Sequence, residues 1–278
     1  MITHTIQGVE VPALGFGTFK LTGEDATRAV ATALDVGYRH IDTAEMYGNE
    51  AEVGAGLASG SVPREDIFLT TKVWPNNLRP DDLGRALAQS LDKLRTDYLD
   101  LYLVHWPNPE IPLADTLAAM QEAQAAGKIR RFGVSNFPVA LMREAVEKIG
   151  APVFCNQVEY HPFLNQTPVL DYARAHDILI TSYCPLARGS VQDNAVLKRI
   201  GERHGKTASQ VTLRWHIQQD GVAAIPKSGT PANIRSNFDI FDFALSTDEM
   251  AEIGNLRGGG RLVDPATAPA WDPAPAIA

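Results

Sequence analysis

Four side chains able to handle protons or charge recur at short intervals along the chain: Asp42, Tyr47, Lys72 and His105. A tyrosine is a poor acid near neutrality, with an unperturbed pKa of about 10. A lysine ammonium beside it would stabilise the phenolate and lower that pKa, and an aspartate would hold the lysine and keep it charged. A histidine within reach could hydrogen-bond an incoming carbonyl oxygen and fix its direction. Such a set suits one task, the supply of a proton to an oxygen that becomes an alkoxide when hydride arrives at its carbon. Taken singly, each has an ordinary explanation: Asp42 as a helix cap, Lys72 as a solvated charge, His105 as a hydrogen-bonded core histidine. The four gain meaning only if the fold gathers them at one rim.

The elements around them predict that it does. Eight apolar runs read as strands, at 14–19, 38–43, 66–73, 98–105, 129–135, 153–160, 178–183 and 221–226. Most lack strict apolar/polar alternation, as expected of strands covered on both faces. Between them lie helical stripes: Ala26, Ala29, Val30, Ala33 and Leu34; Leu83, Leu87, Leu91 and Leu94 behind Pro80; Leu113, Leu117 and Met120; Leu141, Ala145 and Ile149. Thr207 is placed to cap a helix that turns Val211 and Trp215 inward. Eight strand–helix repeats predict an α/β fold, a closed (β/α)8 TIM barrel, in preference to a doubly wound open sheet with fewer units. THTI and VEVP around Gln7-Gly8 predict an N-terminal β-hairpin closing the barrel floor. The long interval at 183–221 must hold an extra helix near 193–203, and the segment from Arg257 onward predicts a C-terminal loop over the barrel mouth. In such a barrel the site lies at the carboxyl ends of the strands, where Asp42, Lys72 and His105 fall, with Tyr47 on the following loop.

Composition narrows the class. The 278 residues are 45% hydrophobic and 21% charged, as in a folded globular chain, and 25 basic against 33 acidic side chains leave a net charge of −8. An acidic surface repels phosphate backbones and anionic lipids, so neither nucleic acid nor membrane is an expected partner. Cys155 and Cys184 sit in apolar runs suited to reduced thiols and cannot build a disulfide framework. No apolar run reaches about 18 residues, and the first residues lack the pattern of a signal peptide. The expectation is a cytoplasmic monomer, one barrel domain over residues 1–278, acting on a small molecule.

YRHIDTAEMYGNE at 38–50, TTKVW at 70–74, YLDLYLVHWP at 98–107, GKIRRFGVSNF at 127–137 and IPKS at 225–228 together resemble the aldo-keto reductase family. The resemblance runs in order over nearly the whole chain and is nearest to the short bacterial 2,5-diketo-gluconate reductases. It implies Tyr47 as general acid, Lys72 and Asp42 as its tuning pair and His105 as carbonyl orienter. It also implies reduction of small carbonyl compounds such as methylglyoxal or keto-sugar acids by hydride from nicotinamide. Gly15-Phe16-Gly17 begins like a dinucleotide fingerprint, but Phe19 and Lys20 follow where its third glycine belongs. The resemblance instead lays the cofactor over the barrel mouth, near Gly17, Thr18, Phe19 and Asp42. Ser135, Asn136 and Gln157 would hold the carboxamide and Tyr183 would stack on the ring. Pro185, Leu186 and Arg188 would cover the pyrophosphate, although Arg188 has the alternative of a solvated charge. Lys227, Ser228, Asn233 and Asn237 would line the adenosine end.

A basic residue and a hydroxyl beside a helix start suit a phosphate, which favours NADPH. Asn233 stands where the family usually has an arginine, so NADH is possible too. Phe19, Trp74, Trp106 and Trp271, with His105, are expected to wall the substrate pocket. No metal is expected, since His40, Cys155, His161 and Cys184 lack ligand spacing. A hydrolase on the same barrel would need a metal cluster or acid pair that these motifs do not supply. A cofactor-binding regulator is opposed by the complete tetrad.

Overall fold

The computed structural model describes residues 1–273. Thr3–Ile6 (β1) pairs antiparallel with Val9–Pro12 (β2) across Gln7 and Gly8, whose φ values of 46° and 75° are those of a tight primed turn. This hairpin plugs the amino-terminal end of the barrel. His4 Nε2 meets the Val222 carbonyl at 2.9 Å and Gln7 Nε2 donates to the Val153 carbonyl at 3.0 Å, both near strand starts.

Eight parallel strands follow: Phe16–Gly17 (β3), His40–Asp42 (β4), Phe68–Val73 (β5), Leu99–Val104 (β6), Ile129–Ser135 (β7), Cys155–Glu159 (β8), Leu179–Tyr183 (β9) and Val222–Ala224 (β10). Each pairs with its sequence neighbour, and a parallel bridge from Leu14 to Ala224 closes the ring. Each strand falls inside the run predicted for it.

The helices are Gly23–Val36 (α1), Glu50–Ser59 (α2), Pro80–Leu94 (α3), Leu113–Ala125 (α4), Val139–Arg143 (α5), Thr167–Ala175 (α6), Ala195–His204 (α7), Ala208–Ile217 (α8), Pro231–Phe238 (α9) and Thr247–Gly254 (α10). The predicted stripe of α1 is buried in full, as are Leu83, Leu87, Leu91 and Leu94 of α3. Thr207 and Gln210 form a reciprocal capping box at the start of α8, and α7 is the extra helix. The stripe through Leu141, Ala145 and Ile149 differs from a regular helix. After Arg143 the chain widens to a π turn over Glu144–Lys148, so Ile149 N bonds to Glu144 O and Gly150 ends the segment at φ 74°.

Two apolar clusters divide the core. Leu34, Leu69, Tyr102, Phe132 and Val211 belong to the large layer between strands and helices. Ile6 and Val11 of the hairpin join Phe68, Leu101, Leu103, Phe154 and Leu179 in the second, which fills the lower barrel. After α10 no further helix or strand forms among the described residues, in keeping with the predicted C-terminal loop.

A charged knot fastens one side of the barrel. Asp100, 4% exposed, accepts from Leu69 N at 3.0 Å, Arg64 at 2.8 Å and Arg130 at 2.9 Å. The two guanidinium groups each lie 4.1 Å from the ring centroid of Tyr98. Removing one partner of a buried pair leaves the other charge uncompensated, at a cost of about 3–5 kcal/mol. Arg130 is half-exposed and can turn to water, which lowers the expectation. Asp100→Ala is expected to cost about 2–4 kcal/mol in denaturant unfolding. Activity below the unfolding transition should stay near the parent's, because this knot contributes nothing to the mouth.

Candidate active site

Asp42 ends β4 and Lys72 lies near the end of β5, the neighbouring strand. Both are essentially buried, at 1% and 0% exposure. Lys72 Nζ donates to Asp42 Oδ1 at 2.6 Å, to the Thr43 carbonyl at 2.7 Å and to Tyr47 Oη at 3.4 Å. All three ammonium protons are thereby used. The second carboxylate oxygen of Asp42 accepts from Gln157 Nε2 of β8 at 2.7 Å. His105, just past β6, presents its ring edge-on to Tyr47 with centroids 5.7 Å apart. The four residues singled out in the sequence therefore do meet at one rim.

Tyr47 ends a single 3-10 turn, Glu45–Tyr47, and two residues absent from the sequence reading fix that turn. Glu45 accepts from Trp74 N at 2.8 Å and Asn77 Nδ2 at 2.5 Å, tying it to the loop after β5. Asn49 accepts from Thr43 Oγ1 at 3.0 Å and donates to the carbonyls of Thr18 and Leu21, tying it to the loop after β3. Most of these partners are far away in sequence, so the local hint was polar residues flanking a tyrosine.

Burial raises the Tyr47 phenol well above its ordinary value, and the Asp42 carboxylate adds to that. This corrects the expected lowering by Lys72. Burial is the larger effect and the Asp42 carboxylate adds to it, so the ammonium does not set the direction. Burial likewise lowers Lys72, with Asp42 opposing, and lowers His105 well below its ordinary value, with Lys72 acting in the same direction. At neutral pH the site holds a protonated phenol and an uncharged imidazole. His105 Nδ1 is buried without a partner, so no acceptor holds a proton there. The ring proton then belongs on Nε2, as a donor.

A cavity of about 940 Å³ opens over these groups. Gly17, Thr18, Phe19, Asp42, Tyr47, His105 and Trp106 line it, as do Asn136, Gln157 and Tyr183. Farther along it are Pro185, Leu186, Arg188, Lys227, Ser228, Asn233 and Asn237. Arg235 does not join them; it is exposed, two positions from Asn233 on α9. At Gly17 a Cβ would come within 2.9 Å of the Ile225 carbonyl, so only glycine fits there. Asn136 and Cys184, each directly after a strand, have φ values of 64° and 51°. Such left-handed non-glycine positions cluster at functional sites. Asn136 donates to the His105 carbonyl at 3.0 Å and accepts from Tyr183 Oη at 2.7 Å, joining three strand ends.

Several expectations need correction. Ser135 lies in register with Gln157 but is buried, spends its hydroxyl on the Gln157 carbonyl at 2.8 Å and does not line the cavity. Trp74 packs edge-on against His105 at 5.4 Å but does not line the cavity. Trp271 does reach the mouth, with its ring 6.1 Å from Trp106, but it backs that residue and lies outside the lining. Cys184 is not a packed core thiol like Cys155; it lines the cavity. Lys20, Met46, Gln192, Lys198, Ser209 and Val263 also line it and were missed, since nothing local marks a surface residue that tertiary packing turns toward a cleft. Among the described residues, no three His, Cys, Asp or Glu side chains are grouped to hold a metal, and no helix is long and apolar enough to cross a membrane.

Comparison with known proteins bears on the same geometry. The sequence model of the Aldo/keto reductase family matches residues 13–257. An aldo-keto reductase of Mycolicibacterium smegmatis is 44% identical over 94% of this chain and 95% of its own. Methylglyoxal reductase DkgB of Salmonella typhi is 42% identical over 94% of this chain and 99% of its own. A crystal structure provisionally named a 2,5-diketo-D-gluconic acid reductase B superposes with a TM-score of 0.94 at 47% identity, covering 98% of both chains. The chain belongs to the aldo/keto reductase family, oxidoreductases that reduce carbonyl groups to alcohols with a nicotinamide cofactor.

Proposed function

We propose that this protein reduces small aldehydes and ketones, methylglyoxal among them, with NADPH as the preferred cofactor and Tyr47 as the proton donor. The observation that carries the reading is the convergence of Asp42 and Tyr47, both on the wall of the large cavity, on the ammonium of Lys72 buried behind it, at 2.6 and 3.4 Å. The donor set along that wall fits a nicotinamide dinucleotide. Among the described residues nothing donates to the Gln157 amide oxygen, and Asn136 fixes Tyr183, so these three suit a carboxamide-bearing ring. The left-handed run at Ala187 and Arg188, followed by Gly189, suits the pyrophosphate, and Lys227, Ser228, Asn233 and Asn237 suit the adenosine end. When bound, the cofactor supplies hydride.

The chain's own residues supply the rest. His105, uncharged with its proton on Nε2, orients the carbonyl oxygen by donating to it. Tyr47 keeps its proton until the oxygen becomes basic enough to take it, and its raised pKa guarantees a full supply of the acid at neutral pH. Lys72, hydrogen-bonded to Tyr47 Oη, stabilises the phenolate left behind. Phe19 and Trp106 form an aromatic wall that admits varied carbonyl compounds by shape.

Mixing the protein with NADPH and methylglyoxal should consume the NADPH; no consumption with a panel of aldehydes and ketones would sink the reading. Tyr47→Phe should lower reduction by about 10²–10⁴, the usual worth of general acid catalysis, and leave the NADPH dissociation constant within about twofold. Cofactor choice gives a separate test. Asn233 lines the cavity on α9 but lacks the fork of donors that an arginine offers to phosphate. NADPH should be preferred only modestly. Asn233→Arg should raise the preference about tenfold, through tighter NADPH binding with NADH nearly unchanged, as fluorescence titration of both cofactors would show.

A further inference from the structure

On the outer face of β5, behind Lys72, is a buried carboxyl that the reacting groups do not touch. Glu50 opens α2, three residues after Tyr47. Its Oε1 accepts from Thr71 Oγ1 at 2.6 Å, and Thr71 immediately precedes Lys72 on β5. Neighbouring strand residues point to opposite faces, so Lys72 projects into the barrel and Thr71 out toward the helices. Glu50 Oε2 has no hydrogen-bond partner among the described residues, and the half-exposed Lys93 of α3 comes only to 3.9 Å. Ser90 Oγ on α3 and the Oη of Tyr102, the register partner of Thr71 on β6, are near the carboxyl, buried and equally unpartnered.

Such a group is a poor source of stability. A buried carboxyl with an unpaired oxygen costs free energy, and an apolar pair of similar shape often serves as well or better. What the Glu50–Thr71 bond does supply is alignment. Inside the barrel, Tyr47 Oη stands 3.4 Å from Lys72 Nζ. Outside it, Glu50 and Thr71 join the same two stretches of chain a second time. Gly54, one turn on, seats α2 directly on α3, where a Cβ would stand 2.3 Å from the Lys93 carbonyl. The helix start is thus held close enough for a glutamate to reach β5.

We infer that Glu50 is a positioning residue: through Thr71 it fixes the start of α2 on β5 and so sets the approach of Tyr47 to Lys72 on which proton donation depends. The inference rests on the reading of Tyr47 as proton donor and adds a residue that touches neither substrate nor cofactor.

Glu50→Met combined with Thr71→Val replaces the bonded pair by apolar groups of similar volume, so the denaturant midpoint should hold or rise. The single-turnover rate of methylglyoxal reduction should nonetheless fall about tenfold, with half-saturating methylglyoxal and the NADPH dissociation constant within about twofold. Each single variant should lose as much as the double, because both break one bond. Glu50→Gln keeps an acceptor for Thr71 and should hold the rate within about threefold of the parent. The solvent isotope effect on that rate should be larger in the double variant, since the proton step is the one impaired. A double variant as fast as the parent, single losses that multiply, or an unchanged isotope effect would each overturn the inference. Should the double variant not fold, Thr71→Val alone, which leaves the carboxyl in place, decides by the same rate and isotope effect. Tyr47→Phe separates the two readings. An unchanged rate there would count against the proposed proton donor, while a large loss there with none at Glu50 and Thr71 would count against Glu50 alone.

Discussion

Asp42 and Lys72 lie side by side under the mouth of the barrel with almost no surface in contact with solvent. Two charges in such a place are tolerable only when their attraction is helped by hydrogen bonds to every remaining donor and lone pair. That requirement organises the site. Lys72 needs the Thr43 carbonyl and Tyr47 Oη as well as the carboxylate, and Asp42 needs Gln157 from across the barrel. The positions of β4, β5, β8 and the tyrosine turn are thus coupled through one ion pair. Thr18 adds β3, donating from its hydroxyl and its N–H to the Asp42 carbonyl at 3.0 Å.

The electrostatic consequence follows from the same burial. A pair of opposite charges is nearly neutral at a distance, so the groups around it respond to desolvation more than to either charge. Tyr47 rises, Lys72 falls and His105 falls. The tyrosine then keeps its proton and the histidine does not gain one, a division that supports the proposed roles of proton donor and carbonyl orienter. The lysine matters less for the resting tyrosine than for the phenolate left once the proton has gone.

The tail adds Val263 to the cavity wall. Glu159, at the end of β8, pins Leu262 and Val263 by their backbone N–H groups, and the Phe163 carbonyl accepts from Gly259 N at 2.9 Å. The Glu159 carboxyl is held below its usual range: burial would raise it, but the donors from His161, Leu262 and Val263 outweigh that. A segment without helix or strand is thereby fixed beside Tyr183 and Trp106. Phe19, Met46 and Leu262 remain exposed near this rim, large apolar side chains that a buried core would otherwise have taken.

Much of this was legible in the residues. Apolar runs and helical stripes mark strands and helices because covered strands and amphipathic helices impose distinct spacings, and the turn at Gln7-Gly8 has its own chemistry. Asp42, Lys72 and His105 could be placed at strand ends, and parallel topology puts all strand ends on one face. The direction in which a side chain points, and what its polar atoms meet there, are different quantities. Ser135 spent its hydroxyl on a backbone carbonyl of the next strand, Cys184 turned toward the cavity, and Tyr47 moved up in pKa rather than down, each through surroundings built by distant segments. Glu45, Asn49 and Glu159 owe their roles in large part to backbone groups, which are alike in every residue and leave no trace in composition or spacing. The barrel and the residue types gathered at its mouth could be read from the chain alone, because periodicity and side-chain chemistry are local. Which protons those groups keep depends on the tertiary structure, because desolvation arises only when distant segments close around them.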